Sequence, residues 1–305
     1  MLLFQRILSA VFFGALFLCS PAAYASTETA ALAPVFEQAG RSLAEGKKPL
    51  VVFDIDNVLL CDDLFLGNRA WFRSLYSDYL NPLRTENPAL FKSEEEKLSV
   101  LLASLEKVSS KKLVEAEIPK RLRALQSAGI KAMVLTGRHA SAMAHTIADL
   151  KAKGVDVSAS TPIPDIDALA IPGEKGQGAC KSGVCFGALQ DKGRMLVSLL
   201  ERAAYRPDVL IFVDDSPRNT RAVESAFKDF GIPCLAFRYS RRDKLLQSYE
   251  TAGIQAAARV QLKEFLINGR LLENEKAQAL SKTAPVTVEE ELKLIFGSRT
   301  ELPKM

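Results

Sequence analysis

Histidine is almost missing from this chain: His139 and His145 are the only two in 305 residues. Neither stands at a spacing from the five cysteines that would hold zinc, so a His/Cys zinc site is excluded. Positive charge is not concentrated either. The net charge is +4, and no basic stripe with interleaved aromatics occurs, which argues against a nucleic-acid partner. Beyond the N-terminus there is no long apolar run, so no membrane span is expected in the body of the chain. Internal repeats and low-complexity stretches are also lacking. What remains is 48% hydrophobic and 25% charged, the balance of a globular protein with one large domain or a core domain carrying an insertion.

The one long apolar run, Ile7 to Leu18, follows Arg6, the only charged residue among the first 25. Ser20-Pro21 and then Ala23-Tyr24-Ala25 come next, which is the layout of a secretory signal peptide over residues 1–25 with cleavage after Ala25. Export to the periplasm or the medium is therefore expected, with no membrane anchor left after cleavage. The mature chain keeps Cys61, Cys180, Cys185 and Cys234, an even number that an oxidising compartment allows to pair in three ways. Cys180 and Cys185 flank Lys181-Ser182-Gly183-Val184, a hairpin-turn sequence, and a bridge between them is expected.

Residues 26–48 read as a leader helix, with Leu32, Val35, Phe36, Ala39 and Leu43 at helical spacing. Residues 50–55 are apolar on both faces, as a central parallel strand should be. Residues 62–115 carry Trp71, Phe72, Tyr76, Tyr79 and Phe91, break at Pro82 and Pro88, and then run amphipathically from Glu94 to Lys112. That is too long for a strand-to-helix loop and reads as a helical insertion whose aromatics pack its own interior. Strand and helix then alternate: helix 118–127, strand 131–136, helix 140–153, a Gly- and Pro-rich stretch 155–188 expected to form a small hairpin flap, helix 192–204, strand 208–213, helix 217–229 and strand 233–238. This alternation predicts an α/β fold with a parallel sheet between helices. Residues 240–305 read as helices packed on that core.

Two acidic clusters stand at the ends of apolar strands. Phe53-Asp54-Ile55-Asp56-Asn57-Val58 follows Pro49-Leu50-Val51-Val52, and Phe212-Val213-Asp214-Asp215-Ser216-Pro217 follows Val209-Leu210-Ile211. Carboxylates in such places are costly unless they meet a cation, and the carboxyl edge of a parallel sheet is where an α/β active site forms. Asp54 and Asp56 side by side could serve as nucleophile and general acid/base for phosphoryl transfer, and equally could be an acidic turn. Thr136-Gly137-Arg138 ends another strand and could offer a hydroxyl and N–H groups to a phosphate. Lys192 opens a helix, where a cation opposes the macrodipole. Lys175 and Lys181 lie nearby in the same loop-rich stretch.

In that order, Asp54-Ile55-Asp56-Asn57-Val58, Thr136-Gly137-Arg138, Lys192-Gly193 and Asp214-Asp215-Ser216-Pro217 resemble the four motifs of the haloacid dehalogenase superfamily, over residues 49–239. The resemblance implies a Rossmann-like three-layer α/β/α core, residues 26–61 and 116–239, with a cap at 62–115, and Mg²⁺-dependent phosphoryl transfer. It casts Asp54 as nucleophile, Asp56 as acid/base with its backbone carbonyl on Mg²⁺, Thr136 as a phosphoryl-oxygen ligand and Lys192 as the counter-charge. Asp54, Asp56, Asp214 and Asp215 then make up the metal set. The acid two residues after Asp54 favours a phosphatase acting on a small phosphorylated substrate. A phosphotransferase, or a binding protein on the same scaffold, are the other readings. The fourth motif is Asp-Asp where Gly-Asp is common, and Asn219 stands where many members have a later Asp.

Overall fold

The computed structural model describes residues 26–109, 111–174 and 176–297. The expected signal peptide and Lys175 lie outside them. Among the described residues no helix is long and apolar enough to cross a membrane.

The elements run as follows. Strand β1 (Thr27–Thr29) precedes helix α1 (Ala33–Ala44), β2 (Pro49–Phe53) and the short β3 (Leu60–Cys61). Helices α2 (Arg69–Leu75), α3 (Asn81–Glu86) and α4 (Pro88–Val108) follow, with a π-turn at Tyr76–Leu80. Then come β4 (Lys112–Leu113), α5 (Ile118–Ser127), β5 (Lys131–Thr136), α6 (Met143–Ala152), β6 (Ile166–Leu169), β7 (Gly178–Lys181) and β8 (Val184–Phe186). The chain continues through α7 (Lys192–Arg202), β9 (Val209–Asp214), α8 (Pro217–Phe230) and β10 (Cys234–Tyr239). It ends in α9 (Asp243–Ser248), α10 (Ala252–Asn268), α11 (Asn274–Thr283) and α12 (Val288–Phe296).

Among the described residues, eight strands form one sheet in the order β1-β10-β9-β2-β5-β8-β7-β6. The pairs from β1 through β8 are parallel, and β7 and β6 add on antiparallel. Alternation along the strands sends side chains into two separate layers. Val51, Phe53, Val134 and Val213 pack with Leu32, Phe36, Leu122 and Leu150 from α1, its lead-in, α5 and α6. Leu50, Val52, Leu135 and Phe212 pack with Leu196, Leu200, Val223 and Phe227 from α7 and α8. The result is a three-layer α/β fold, with β2 fully buried at its centre as its unbroken apolar sequence requires.

Three expectations change. The leader is not one helix: Thr27–Thr29 pairs with β10 as an edge strand, and the helix starts only beyond Leu32, where Pro34 fits the first turn. The stretch 155–188 does hold a hairpin, with Cys180 and Cys185 joined by a disulfide, but it is no flap. Strand β8 pairs with β5 and extends the main sheet, because Val184, Cys185 and Phe186 are fully apolar and buried. Cys61 and Cys234 are buried and free.

The third change concerns the C-terminal helices. They pack on the insertion rather than on the sheet core, where Phe65, Trp71, Leu80, Leu83, Phe91 and Leu98 share one apolar cluster with Tyr249, Ala258, Leu262, Ala277, Leu292 and Phe296. Polar groups fix the pairing. Trp71 Nε1 donates to Glu291 Oε1 at 2.6 Å, Leu66 N donates to Gln261 Oε1 at 2.8 Å, and Arg242 bonds Asp63 Oδ1 and the Asp62 carbonyl. Two distant segments thus make a single helical layer beside the sheet.

Candidate active site

Parallel pairing brings the acidic clusters together. Phe53 lies opposite Val213 on one side and Val134 on the other, so the ends of β2, β5 and β9 meet at one edge of the sheet. Asp54 continues the ladder by one bond, its N–H donating to the Val213 carbonyl at 3.0 Å. The chain then turns tightly. Asn57 takes a left-handed φ of 62°, and the N–H groups of Leu59 and Leu60 both bond the Ile55 carbonyl. An Asn tolerates that backbone better than most side chains, which explains the residue after the second Asp. After β9 the Ser216 N–H bonds Asp214 Oδ1 at 2.8 Å, and Pro217 then begins α8.

Lys192 is the hub. Its Nζ lies 2.8 Å from Asp54 Oδ1 and 2.6 Å from Asp214 Oδ2, with all three side chains buried. Asp191 caps α7 by accepting from the Arg194 N–H, which fixes where the helix begins and hence where Lys192 points. Gly193 lets α7 approach α8: a Cβ there would meet the Ala222 carbonyl oxygen at 2.4 Å. The lysine that opposes the helix dipole is thus held by two carboxylates. Of the neighbouring lysines, Lys181 is exposed.

Asp54, Asp214 and Asp215 each offer a carboxylate oxygen, and the three oxygens lie within 4.8 Å of one another. These residues could hold a metal ion. Asn219 Nδ2 donates to both oxygens of Asp214 at 3.0 and 3.1 Å, and Asn57 Nδ2 donates to Asp215 Oδ2 at 3.2 Å. At position 219 a second carboxylate would repel Asp214, whereas the amide orients it. The carboxylate of Asp56 is not in this group. It faces Arg138, whose Nε and Nη2 reach its two oxygens at 2.9 and 2.6 Å, while Nη1 bonds Thr146 Oγ1. Lys111, from the end of the insertion, adds a contact at 3.4 Å.

These contacts set the charges. Burial pushes Asp54 well above the ordinary carboxylate range. Lys192 pulls it down, while Asp214, Asp215 and Asp56 push it further up. For Asp56 burial also acts upward, but Arg138 and then Lys111 outweigh it and hold it well below that range. Burial would lower Lys192, and Asp214 and Asp54 overcome it and raise it. One lysine thus serves two buried carboxylates, with the half-buried Asp215 beside them.

Thr136 is buried at the end of β5, its Oγ1 accepting from the Arg138 N–H at 3.2 Å and its carbonyl accepting from the Gly187 N–H at 2.7 Å. Asp54, Asp56, Thr136, Arg138 and Lys192 line a cavity of about 310 Å³ between the sheet edge and the helical layer. The far wall includes Phe72, Tyr76, Leu98 and Leu102. Of the aromatics expected to serve packing alone, Trp71 does so, whereas Phe72 and Tyr76 also face the cavity. His139 faces it as well, with its Nε2 3.4 Å from Ser99 Oγ. Arg138 and Lys111 were not among the expected site residues. Arg138 had a signal, a cation directly after the Thr136 motif. Lys111 had none, since one lysine after a long amphipathic helix is ordinary.

A parallel α/β sheet with a buried carboxylate cluster at its carboxyl edge defines the class to which this chain belongs. Its family is the one described as "Protein of unknown function (DUF2608)", whose model matches residues 32–278. No curated protein matches the chain. Among solved structures it is similar to the class C acid phosphatase from Bacillus anthracis, at 13% identity and a TM-score of 0.33, over 83% of this chain and 90% of that one. A likeness that loose transfers nothing to this chain.

Proposed function

We propose that the protein is an exported Mg²⁺-dependent phosphatase of the haloacid dehalogenase type, which hydrolyses small phosphate monoesters through an aspartyl-phosphate on Asp54. One observation carries this reading: Asp54, Thr136, Lys192 and the Asp214-Asp215 pair, scattered over the sequence, converge at one sheet edge beneath a cavity. Export rests on the leader sequence, with the periplasm or the medium as destination.

The donor set suits a hard cation. It is all oxygen, Asp54 and Asp214 are buried with Asp215 half-buried beside them, and the two buried carboxylates share one lysine. Asp54, Asp214 and Asp215 would hold Mg²⁺, with the Asp56 carbonyl as a further ligand. Bound there, Mg²⁺ supplies electrostatic stabilisation of the charge on the transferring group.

An Asp54 carboxylate oxygen attacks phosphorus, and the bond to the leaving alkoxide oxygen breaks. Asp56, protonated for this step, delivers its proton to that oxygen. Water then attacks the same phosphorus and its proton goes to Asp56, so that the Asp54–phosphate bond breaks and orthophosphate leaves. The second step uses Asp56 as the carboxylate seen in its pair with Arg138. The first requires that pair to loosen. Thr136 Oγ1 accepts from the Arg138 N–H, which leaves its hydroxyl hydrogen to point at a phosphoryl oxygen. Lys192 keeps Asp54 oriented and offsets charge as the phosphoryl group arrives.

The test is hydrolysis of p-nitrophenyl phosphate with Mg²⁺, with chelator, and by Asp54→Asn. The expected result is Mg²⁺-dependent turnover that vanishes in the variant. Turnover that survives in Asp54→Asn would remove the reading.

A further inference from the structure

The cavity over the sheet edge separates into a charged floor and a wall without spare charge, and this division constrains the leaving group. The described cations that line it are Lys111, Arg138 and Lys192. Each is already bound to carboxylates: Lys111 to Asp56 and Asp62, Arg138 to Asp56, Lys192 to Asp54 and Asp214. The lining acids Asp54, Asp56 and Asp62 are the partners in those same pairs. Above the floor the wall is mostly hydrocarbon, from Phe72, Leu98, Leu102, Leu105 and Leu189.

The polar side chains that interrupt this wall, Tyr76, Ser99, Ser109, His139 and Ser141, bring no cation or carboxylate of their own. Tyr76 OH donates to Glu95 Oε1 at 3.0 Å, and Ser99 Oγ donates to the Glu95 carbonyl at 2.8 Å while facing His139 Nε2. Burial lowers the pKa of His139, against the opposite pull of Glu95, so the imidazole is no extra cation at neutral pH. A second phosphate, a carboxylate or an ammonium on the leaving group would therefore lose its water with no uncommitted charged side chain among the described lining residues to receive it.

We infer that the substrate is the phosphate monoester of an uncharged, predominantly apolar alcohol or phenol, whose carbon skeleton lies against Phe72, Leu98, Leu102 and Leu105. The inference rests on the phosphatase reading above. That reading concerns the floor, and this one concerns the wall. The chemistry of the wall favours hydrocarbon over sugar hydroxyls, and excludes a leaving group with charge of its own.

The test is kcat/KM of the purified protein with Mg²⁺ on four probes: acetyl phosphate, benzyl phosphate, glycerol 3-phosphate and 3-phosphoglycerate. Acetyl phosphate hardly touches the wall and reports the floor alone. Benzyl phosphate should exceed glycerol 3-phosphate by about tenfold, the lower end of what a single methylene is worth in an apolar pocket, and 3-phosphoglycerate should be poorest, by about 100-fold or more against benzyl. Hydrolysis of acetyl phosphate without that preference would overturn the inference and leave the phosphatase reading standing. No hydrolysis of any probe would overturn both. Leu102→Lys, on a partly buried wall position, should lower the benzyl to 3-phosphoglycerate ratio about tenfold; an unchanged ratio would show that the wall does not meet the leaving group.

Discussion

The sheet core and the helical layer both bury polar side chains, but they use them differently. In the core, Asp54, Thr136, Lys192 and Asp214 are buried around one point, and two of the carboxylates share one lysine. In the helical layer, Asn68, Gln261 and Glu291 are buried too, but each is satisfied by neutral hydrogen-bond partners and none joins an ion cluster. Asn68 caps α2 through the N–H groups of Ala70 and Trp71, Gln261 joins Leu66 to Leu272, and Glu291 accepts from Trp71. Buried polarity that converges, two carboxylates on one lysine, marks a reactive site. Buried polarity that is satisfied by neutral partners fixes the pairing of segments distant in sequence.

Changes in the two regions should therefore be read out differently. The largest effect is expected from Asp54→Asn, which should cut kcat/KM by about 10⁴-fold or more, the scale seen when an essential nucleophile is lost. Next comes Lys192→Met, which leaves Asp54 and Asp214 buried without their cation. Breaking a buried pair costs about 3–5 kcal/mol, readable as a lower urea midpoint in metal-free protein.

A smaller effect follows from metal and pH. Since Asp54 has a folded pKa above its ordinary 3.8, the folded state binds more protons than the unfolded state over the interval above that value. The Asp54 contribution to stability should thus fall as pH rises through it. Mg²⁺ should relieve that loss at neutral pH, by about 2.7 kcal/mol at 100 times its Kd, seen as a rise in Tm that chelator reverses. An unchanged Tm would show that the carboxylates do not form a metal site.

The smallest effect is expected in the helical layer. Trp71→Phe removes the donor to Glu291 and leaves a buried carboxyl unpartnered, a loss of about 1–3 kcal/mol. Stability should drop while turnover of acetyl phosphate at 25 °C does not. If turnover of that minimal probe fell as far as stability, the separation between the two regions would be wrong.

The same contrast explains what could be read from the chain. The strands of the core were legible because β2, β5 and β9 are unbroken apolar runs, and because the ends of parallel neighbours must meet. Asp54, Thr136, Lys192 and Asp214 could be named from that alone together with the motif order. Arg138 and Lys111 could not, because a side chain reaching across to Asp56 leaves no periodic trace. The packing of α10–α12 on the insertion was equally hidden. Amphipathic helices declare that they bury a face, not which partner they bury it against. The edge strand β1 was missed because three residues, Thr27–Thr29, carry no period that could outweigh the helical spacing just after them.

The measurement that bears most directly on the central claim is acid quenching of the protein during turnover of p-nitrophenyl phosphate with Mg²⁺, followed by peptide mapping of the trapped phosphate. The expected result is phosphate on the peptide that contains Asp54, absent from Asp54→Asn and from chelator-treated protein. Phosphate on another residue, or turnover by Asp54→Asn, would contradict it.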